Sequence, residues 1–371
     1  MKASSVLHLR SLHCHSFSTP LISSLFHTKP LHSSSLSSSL FSSFYCHTSS
    51  ETPHKPKTPI FLKPPIYKTT SKDLNTFINW AKDQISSLGP TFIDHDTALL
   101  QRELKWFLDD SVHECPSVVE IGVTPSKEVT LRESLDKMYE LWEDRMVKRR
   151  PFQYIVGCEH WRDLVLCVED GVLIPRPETA AIVDLVEGLG KVGGGGGVWA
   201  DLGTGSGALA IGISRVFGRD ARVVATDVSP VAVSVARFNV ERYALQDTID
   251  VRQGSWFDPI MEFEGNLTGL VSNPPYIPSE DMGGLQPEVG KHEPWLALDG
   301  GVEGLDYLSY LCAKTSTMLK PGGFFAFETN GEKQCKILAN YLENMTGDSI
   351  CNVNIVSDFA GIPRFVTGHR K

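Results

Sequence analysis

The sequence predicts a doubly wound α/β domain with a mostly parallel sheet, preceded by a small helical bundle and a β-hairpin. Three observations predict it. Beyond residue 197 the chain alternates strand, turn and helix, the pattern of a parallel sheet covered on both faces. A glycine-rich loop, Asp201-Leu-Gly-Thr-Gly-Ser-Gly-Ala208, joins the first of these strands to its helix. Upstream, Leu74, Ile78, Ala81 and Ile85 recur at helical spacing.

Residues 1–50 contain seventeen serines and no acid, and the first acidic residue is Glu51. A Ser-rich, acid-free leader without a long apolar core reads as an organelle transit peptide. Its single arginine, Arg10, favours a plastid over a mitochondrion. Residues 51–70, with "TPHKPKTPIFLKPP", read as a Pro-rich linker. Residues 71–157 form the helical domain, where Lys148-Arg149-Arg150 suits the negative end of a helix dipole. Residues 158–176 read as a hairpin connector turning at Asp170-Gly171. Residues 177–371 hold the α/β domain. A helix follows "RPET" and runs to Leu189, and Gly193–Gly197 reads as a flexible loop. Strands follow in "VWADL", "ARVVATD", "IDVRQ", "LTGLVS" and "GGFFAFE". The terminal "CNVNIVSDFAGIPRFVTGHRK" reads as two strands adding an antiparallel edge.

No run of eighteen apolar residues occurs in the 371, so no membrane-spanning helix is expected. Without Lys2, Arg10 and Lys29 of the leader, the net charge of −9 becomes −12. So acidic a body is a poor non-specific partner for nucleic acid, because lysine and arginine on phosphate drive that binding. The eight cysteines show no Cys-x-x-Cys spacing, so they read as reduced, packed thiols and no metal is expected.

The glycine loop opens a helix directly after a strand, where glycine permits a tight turn and close approach to a ligand. Its spacing also fits a nicotinamide fingerprint. Asp201 separates the two readings: a fixed carboxylate repels a diphosphate but suits the ammonium group of S-adenosylmethionine. Asp227 ends the next strand, placed to accept from two ribose hydroxyls of either cofactor. Trp256, after the third strand, is a candidate apolar wall for an adenine, and Asp258 a candidate helix cap.

Asn273-Pro274-Pro275-Tyr276 follows the fourth strand. The prolines lack N–H groups, and a residue before proline is held extended. The loop therefore offers two acceptors, the Asn273 side-chain oxygen and the Pro274 carbonyl, with the flat face of Tyr276 beside them. That suits a planar group bearing NH2, a carboxamide or an exocyclic base amine. Accepting from both N–H groups would turn the nitrogen lone pair toward a methyl donor.

These segments together resemble the HemK/PrmC-type protein-(glutamine-N5) methyltransferases that modify peptide-chain release factors. The resemblance covers roughly residues 71 to 371 through "RRPFQYIVG", "VLIPRPETA", "DLGTGSGALAI", "GSWFD", "VSNPPYI", "LDGGVEGLDY", "LKPGGFFAFE" and "DFAGIPRFVTGHR". It implies a class I S-adenosylmethionine-dependent methyltransferase domain and a helical bundle that docks the release factor. It implies cofactor contacts from Gly203, Thr204, Gly205, Ser206, Gly207, Asp227, Trp256 and Asn273. It implies that Asn273, Pro274, Pro275 and Tyr276 hold the glutamine of a Gly-Gly-Gln tip, with Asn273, Pro274 and Tyr276 catalytic. The chain departs from the family twice. Ala180 stands where a second acid is usual after "PET", and "TNGEKQ" after Glu328 is one residue longer than the usual spacing. Arg176 and Glu178 read as a structural ion pair. Adenine-N6 methylation of DNA or RNA, glutamine methylation of a ribosomal protein, and a non-catalytic S-adenosylmethionine-binding assembly factor are the alternatives the sequence leaves open.

Overall fold

A computed structural model describes residues 54–88, 97–113, 127–191, 195–345 and 349–371. The segment expected to be a transit peptide, residues 1–50, lies outside them. The N-terminal body comprises β1 (Tyr67–Thr70), α1 (Ser71–Ser87), α2 (Thr97–Ser111), β2 (Val112–His113), β3 (Glu128–Leu131), α3 (Leu135–Met146) and α4 (Phe152–Val156). Thr70 starts α1 by accepting from Asp73 N (3.1 Å), and Ser134 starts α3 by accepting from Lys137 N (3.2 Å). The apolar stripe of α1, including Leu74, Ile78, Ala81 and Ile85, is buried against Phe107, Met138 and Trp142. The three short strands pair as β1-β3-β2, a small sheet that the helical reading of this region omits. Strands of two to four residues carry too little periodicity to be seen in sequence.

The expected linker is packed from His54 onward. Ile60 lies in the bundle core, His54 pairs with Glu169, and Lys57 N donates to Glu169 (2.7 Å). The hairpin is β4 (Cys158–Trp161) with β5 (Leu164–Cys167). Its turn is at Arg162-Asp163, not Asp170-Gly171: Trp161 opposes Leu164 and Arg162 takes a positive φ of 53°. Asp170-Gly171 makes the next turn, closed by Val172 N on Glu169 O (3.0 Å).

The α/β body comprises α5 (Ala180–Lys191), β6 (Gly197–Leu202), α6 (Ala208–Phe217), β7 (Ala221–Asp227), α7 (Pro230–Arg242), β8 (Ile249–Gln253), β9 (Leu267–Ser272), α8 (Pro287–Gly290), α9 (Asp306–Met318), β10 (Leu319–Glu328), α10 (Glu332–Met345), β11 (Ile350–Ser357) and β12 (Pro363–Arg370). The sheet runs β11-β12-β10-β9-β6-β7-β8. The strands from β10 to β8 are mutually parallel, while β12 and β11 are antiparallel, as expected for the terminal edge. This is the class I methyltransferase fold. Alternate residues of each strand serve opposite faces. Trp199, Val223 and Val271 pack under α5, α6 and α7, while Ala200, Val224 and Leu270 pack under α9 and α10. The glycines before β6 are close-approach positions. A Cβ on Gly195 would lie 2.2 Å from the Phe217 ring, and one on Gly197 would lie 2.3 Å from Thr268 Oγ1.

Charges tie the two bodies together. α3 ends at Met146, so Lys148-Arg149-Arg150 lies beyond its last turn; Lys148 pairs back to Asp144 (2.6 Å), while Arg149 and Arg150 form cross-links. Arg149 Nη2 reaches Glu288 of α8 (2.7 Å), and Arg150 pairs with Asp170. Arg145 donates to both Glu103 (2.7 Å) and Glu288 (3.2 Å). Arg176 pairs not with Glu178 but with Glu293 (2.7 Å). Arg145 and Glu103 are both buried, so removing the cation strands a carboxylate away from water. Arg145→Ala is expected to cost about 3–5 kcal/mol, read as a lowered denaturant midpoint. A loss within about 0.5 kcal/mol, the scale of ordinary surface changes, would show that Glu103 carries no charge needing a partner.

Candidate active site

Parallel strands end at one edge of a sheet, and the loops leaving β6, β7, β8 and β9 converge there. They enclose a cavity of about 270 Å³ lined by Gly203, Thr204, Gly205 and Ser206, and by Asp227, Trp256, Asn273 and Pro275. Gly203 takes φ 73°, and a Cβ there would stand 3.6 Å from the Trp256 ring, so the loop passes directly beneath the indole. Gly207 caps α6 and Pro274 is buried; neither is among the lining residues. Tyr276 lies beside the cavity rather than in its wall.

Asp201 is 1% exposed. Its Oδ2 accepts from Thr204 Oγ1 (2.6 Å) and Ala210 N (3.0 Å). Among the described residues, Oδ1 has no hydrogen-bond partner. Burial pushes the carboxyl up to about 7, against hydrogen bonds from Thr204 and Ala210, with the charge of Asp227 adding to the rise. A half-satisfied buried carboxylate on a cavity wall fits a cation such as an ammonium group and does not fit a diphosphate. Asp227 accepts one backbone N–H on each oxygen, from Gly205 (2.9 Å) and Ser229 (2.9 Å). Each oxygen keeps a lone pair for a hydroxyl. Burial also raises this carboxyl, against those hydrogen bonds.

Trp256 packs against Tyr307, with ring centroids 5.3 Å apart, and both line the cavity. These residues suit S-adenosylmethionine: Asp201 for its ammonium group, Asp227 for its ribose and the Trp256 wall for its adenine. Asp258 makes no side-chain cap bond, since Phe257 occupies the capping position.

The Asn-Pro-Pro-Tyr loop is clamped from behind. Ile277 N donates to Leu298 O (3.0 Å), and Gly300 N returns a bond to Ile277 O (2.8 Å). Gln334 donates to Tyr276 O (2.9 Å) and to Gly304 O (3.1 Å). Gln334 ends the "TNGEKQ" segment, so that lengthened loop still delivers its glutamine to the back of the motif. Asn273 Nδ2 donates to Thr179 Oγ1 (3.1 Å), which donates to Glu328 (2.7 Å), which also accepts from the Tyr276 hydroxyl (3.2 Å). Burial pushes Glu328 up to about 7, against hydrogen bonds from Thr179 and Tyr276 and the charge of Arg364.

Among the site residues that sequence reasoning missed are Thr179, Tyr307 and Leu296 on the cavity wall and Gln334 behind it. Thr179 and Tyr307 lie in segments that carry the family resemblance ("RPET", "GLDY"), where residue type alone assigns no role, and Gln334 lies in the segment that departs from the family spacing. Ala180 opens α5 and is not among the lining residues.

The family model "Methyltransferase small domain" matches residues 182–283. A protein named release factor glutamine methyltransferase from Thermosynechococcus vestitus is 39% identical over 265 residues, 71% of this chain and 89% of that one. Namesakes from Synechocystis and Gloeobacter violaceus are 38% and 41% identical, covering 71% and 62% of this chain and 88% and 78% of theirs. The chain belongs to the release factor glutamine methyltransferase family. A solved methyltransferase from Pyrococcus furiosus aligns over 56% of this chain and 89% of its own, at 19% identity and a TM-score of 0.41. The fold and cavity of this family member agree with S-adenosylmethionine as cofactor.

With Asp201 holding the ammonium group, that binding is expected to depend on pH. Its folded pKa lies above the ordinary carboxylate value, so the free protein holds a proton until about pH 7. A bound ammonium favours the anion, so binding expels this proton. S-adenosylmethionine affinity is expected to rise up to about tenfold per pH unit approaching pH 7 and to level above it. Calorimetry in buffers of different ionisation enthalpy measures both. A flat affinity from about pH 5.5 to 7.5 without proton release would refute the assignment.

Proposed function

We propose that the protein transfers a methyl group from S-adenosylmethionine to the side-chain amide nitrogen of the glutamine in the Gly-Gly-Gln motif of an organellar peptide-chain release factor. The carrying observation is that Asn273, whose Nδ2 is occupied by Thr179, shares one cavity with Asp201 and Asp227. Its Oδ1 is therefore the atom left to accept from an incoming NH2 group. Family membership supports glutamine as the bearer of that group, and the acidic body argues against a nucleic acid.

An amide nitrogen is a weak nucleophile because its lone pair is delocalised. Bound S-adenosylmethionine supplies an electrophilic methyl on a positively charged sulfur. The chain's contribution is to aim the nitrogen. Asn273 Oδ1 and the Pro274 carbonyl accept its two N–H groups, so the amide plane is held with its face toward the donor. Orientation of this kind is worth up to ~7–11 kcal/mol of a barrier. Proline at 274 and 275 removes backbone donors that would compete for the acceptors. The nitrogen gains the methyl as the sulfur–methyl bond breaks and becomes cationic; its proton is then acidic enough to pass to water, so no strong base is required.

The leader and the relatives support a finer placement. The Ser-rich, acid-free residues 1–50 and the cyanobacterial namesakes together support a chloroplast protein acting on a plastid release factor. A mitochondrion is the second reading.

Incubating the full chain with methyl-labelled S-adenosylmethionine and a plastid release factor is expected to label one glutamine. Asn273→Ala is expected to lower turnover at least about 100-fold with cofactor affinity retained. Label appearing on an oligonucleotide or a ribosomal protein instead, or near-normal turnover by the variant, would overturn the reading. A fluorescent fusion carrying residues 1–50 is expected to enter plastids, and a cytosolic signal would remove the transit-peptide assignment.

A further inference from the structure

A carboxamide has two ends that look alike in shape and opposite in chemistry. For Asn273 to accept from a substrate NH2, its oxygen must face the cavity. If its own NH2 faced the cavity instead, two donors would oppose each other. Nothing in the Asn-Pro-Pro-Tyr motif itself decides which end points inward. The decision comes from a different part of the chain.

Thr179 precedes α5 and is buried. Its Oγ1 lies 2.7 Å from Glu328 Oε2 and 3.1 Å from Asn273 Nδ2. Glu328 ends β10, is 1% exposed and also faces the Tyr276 hydroxyl at 3.2 Å. At pH 8, above the value of about 7 to which burial raises it, Glu328 is ionised, and an ionised carboxylate only accepts. Thr179 has a single hydroxyl hydrogen, and Glu328 takes it. The oxygen of Thr179 is then left with lone pairs alone, so it accepts, and the Asn273 group facing it must be the NH2. The polarity runs from carboxylate to hydroxyl to amide and leaves Asn273 Oδ1 on the cavity side. Tyr276 donates to the second oxygen of Glu328, so one carboxylate orders both ends of the motif.

We propose that Thr179, polarised by Glu328, is a positioning residue that fixes the side-chain amide of Asn273 with its oxygen toward the substrate. The proposal rests on the methyl-transfer reading above. It adds two residues to it from outside the motif, one at the start of α5 and one at the end of β10.

Thr179→Val keeps the shape and removes the hydroxyl. With saturating S-adenosylmethionine and release factor, kcat is expected to fall about 10- to 100-fold. Cofactor affinity, measured by calorimetry, is expected to stay within about threefold, since orientation and not binding is lost. Thr179→Ser restores the hydroxyl and is expected to recover most of the loss. Glu328→Ala frees the Thr179 proton and is expected to lose at least as much kcat as Thr179→Val.

A second readout needs no substrate. In protein carrying 15N-asparagine, the Asn273 side-chain NH2 pair, assigned by its absence from Asn273→Ala, reports the bond to Thr179. It is expected to shift in Thr179→Val and to return in Thr179→Ser. Wild-type kcat in Thr179→Val with an unmoved NH2 pair would overturn the proposal. So would a kcat loss matched by an equal loss of cofactor affinity, or a loss that Thr179→Ser leaves uncorrected. If wild-type protein labels no release factor while the NH2 pair responds as described, the release-factor reading fails and the positioning role stands.

Discussion

Three carboxylates at the ends of parallel strands govern this structure. Asp201 lies at the end of β6, Asp227 ends β7 and Glu328 ends β10. All three carboxyls are raised by burial. Desolvated anions are costly unless the surroundings supply donors or cations. Each loop at this edge answers that demand differently. The glycine loop folds back to give Asp201 a hydroxyl and a helix N–H, and gives Asp227 a backbone N–H. The segment before α5 gives Glu328 the Thr179 hydroxyl. Among the described residues the Asp201 Oδ1 is left unfilled, an acceptor that suits an ammonium group. The cavity's chemistry is thus the remainder after the chain has satisfied its own strand ends.

The architecture and much of the cavity were legible in the sequence because they rest on local signals. Period-two apolar runs, a glycine loop between strand and helix, and an acid at the ends of β6 and β7 report strand, turn and ligand edge directly. The terminal antiparallel edge was legible for the same reason. The turn of the hairpin was not. Asp170-Gly171 carries the stronger turn chemistry, but the register of Cys158–Trp161 with Leu164–Cys167 puts the tight loop at Arg162, which accepts a positive φ. The Arg176–Glu293 pair spans 117 positions, and the Thr179–Glu328 contact spans 149. No local pattern encodes such partners, so residue type alone pointed to a nearer acid, Glu178, and assigned Thr179 no role.

The segment between α8 and the 3-10 turn at Trp295–Ala297 is held at both ends by arginines from outside the α/β body. Arg145 and Arg149 fix Glu288, and Arg176 fixes Glu293. For Glu288, burial would raise the carboxyl, but hydrogen bonding from Arg149 and the charges of Arg149 and Arg145 hold it below its ordinary value. The segment contributes Pro294, Leu296 and Ala297 to the cavity wall. Trp295 and Leu296 remain 54% and 57% exposed there. This apolar rim therefore owes part of its position to Arg145 and Arg149 of the helical body and part to Arg176 of the connector.

The N-terminal strap has a consequence for the order in which the chain assembles. His54 and Lys57 find their partner in Glu169, 115 and 112 positions later, and Ile60 fills a gap in the bundle core. A chain emerging from its N-terminus presents these residues first and their seat last. Long-range closures of this kind are slow, because chain entropy is lost before contacts repay it. The contacts of His54 and Lys57 with Glu169 can therefore form only after the hairpin and the residues that follow it have been synthesised.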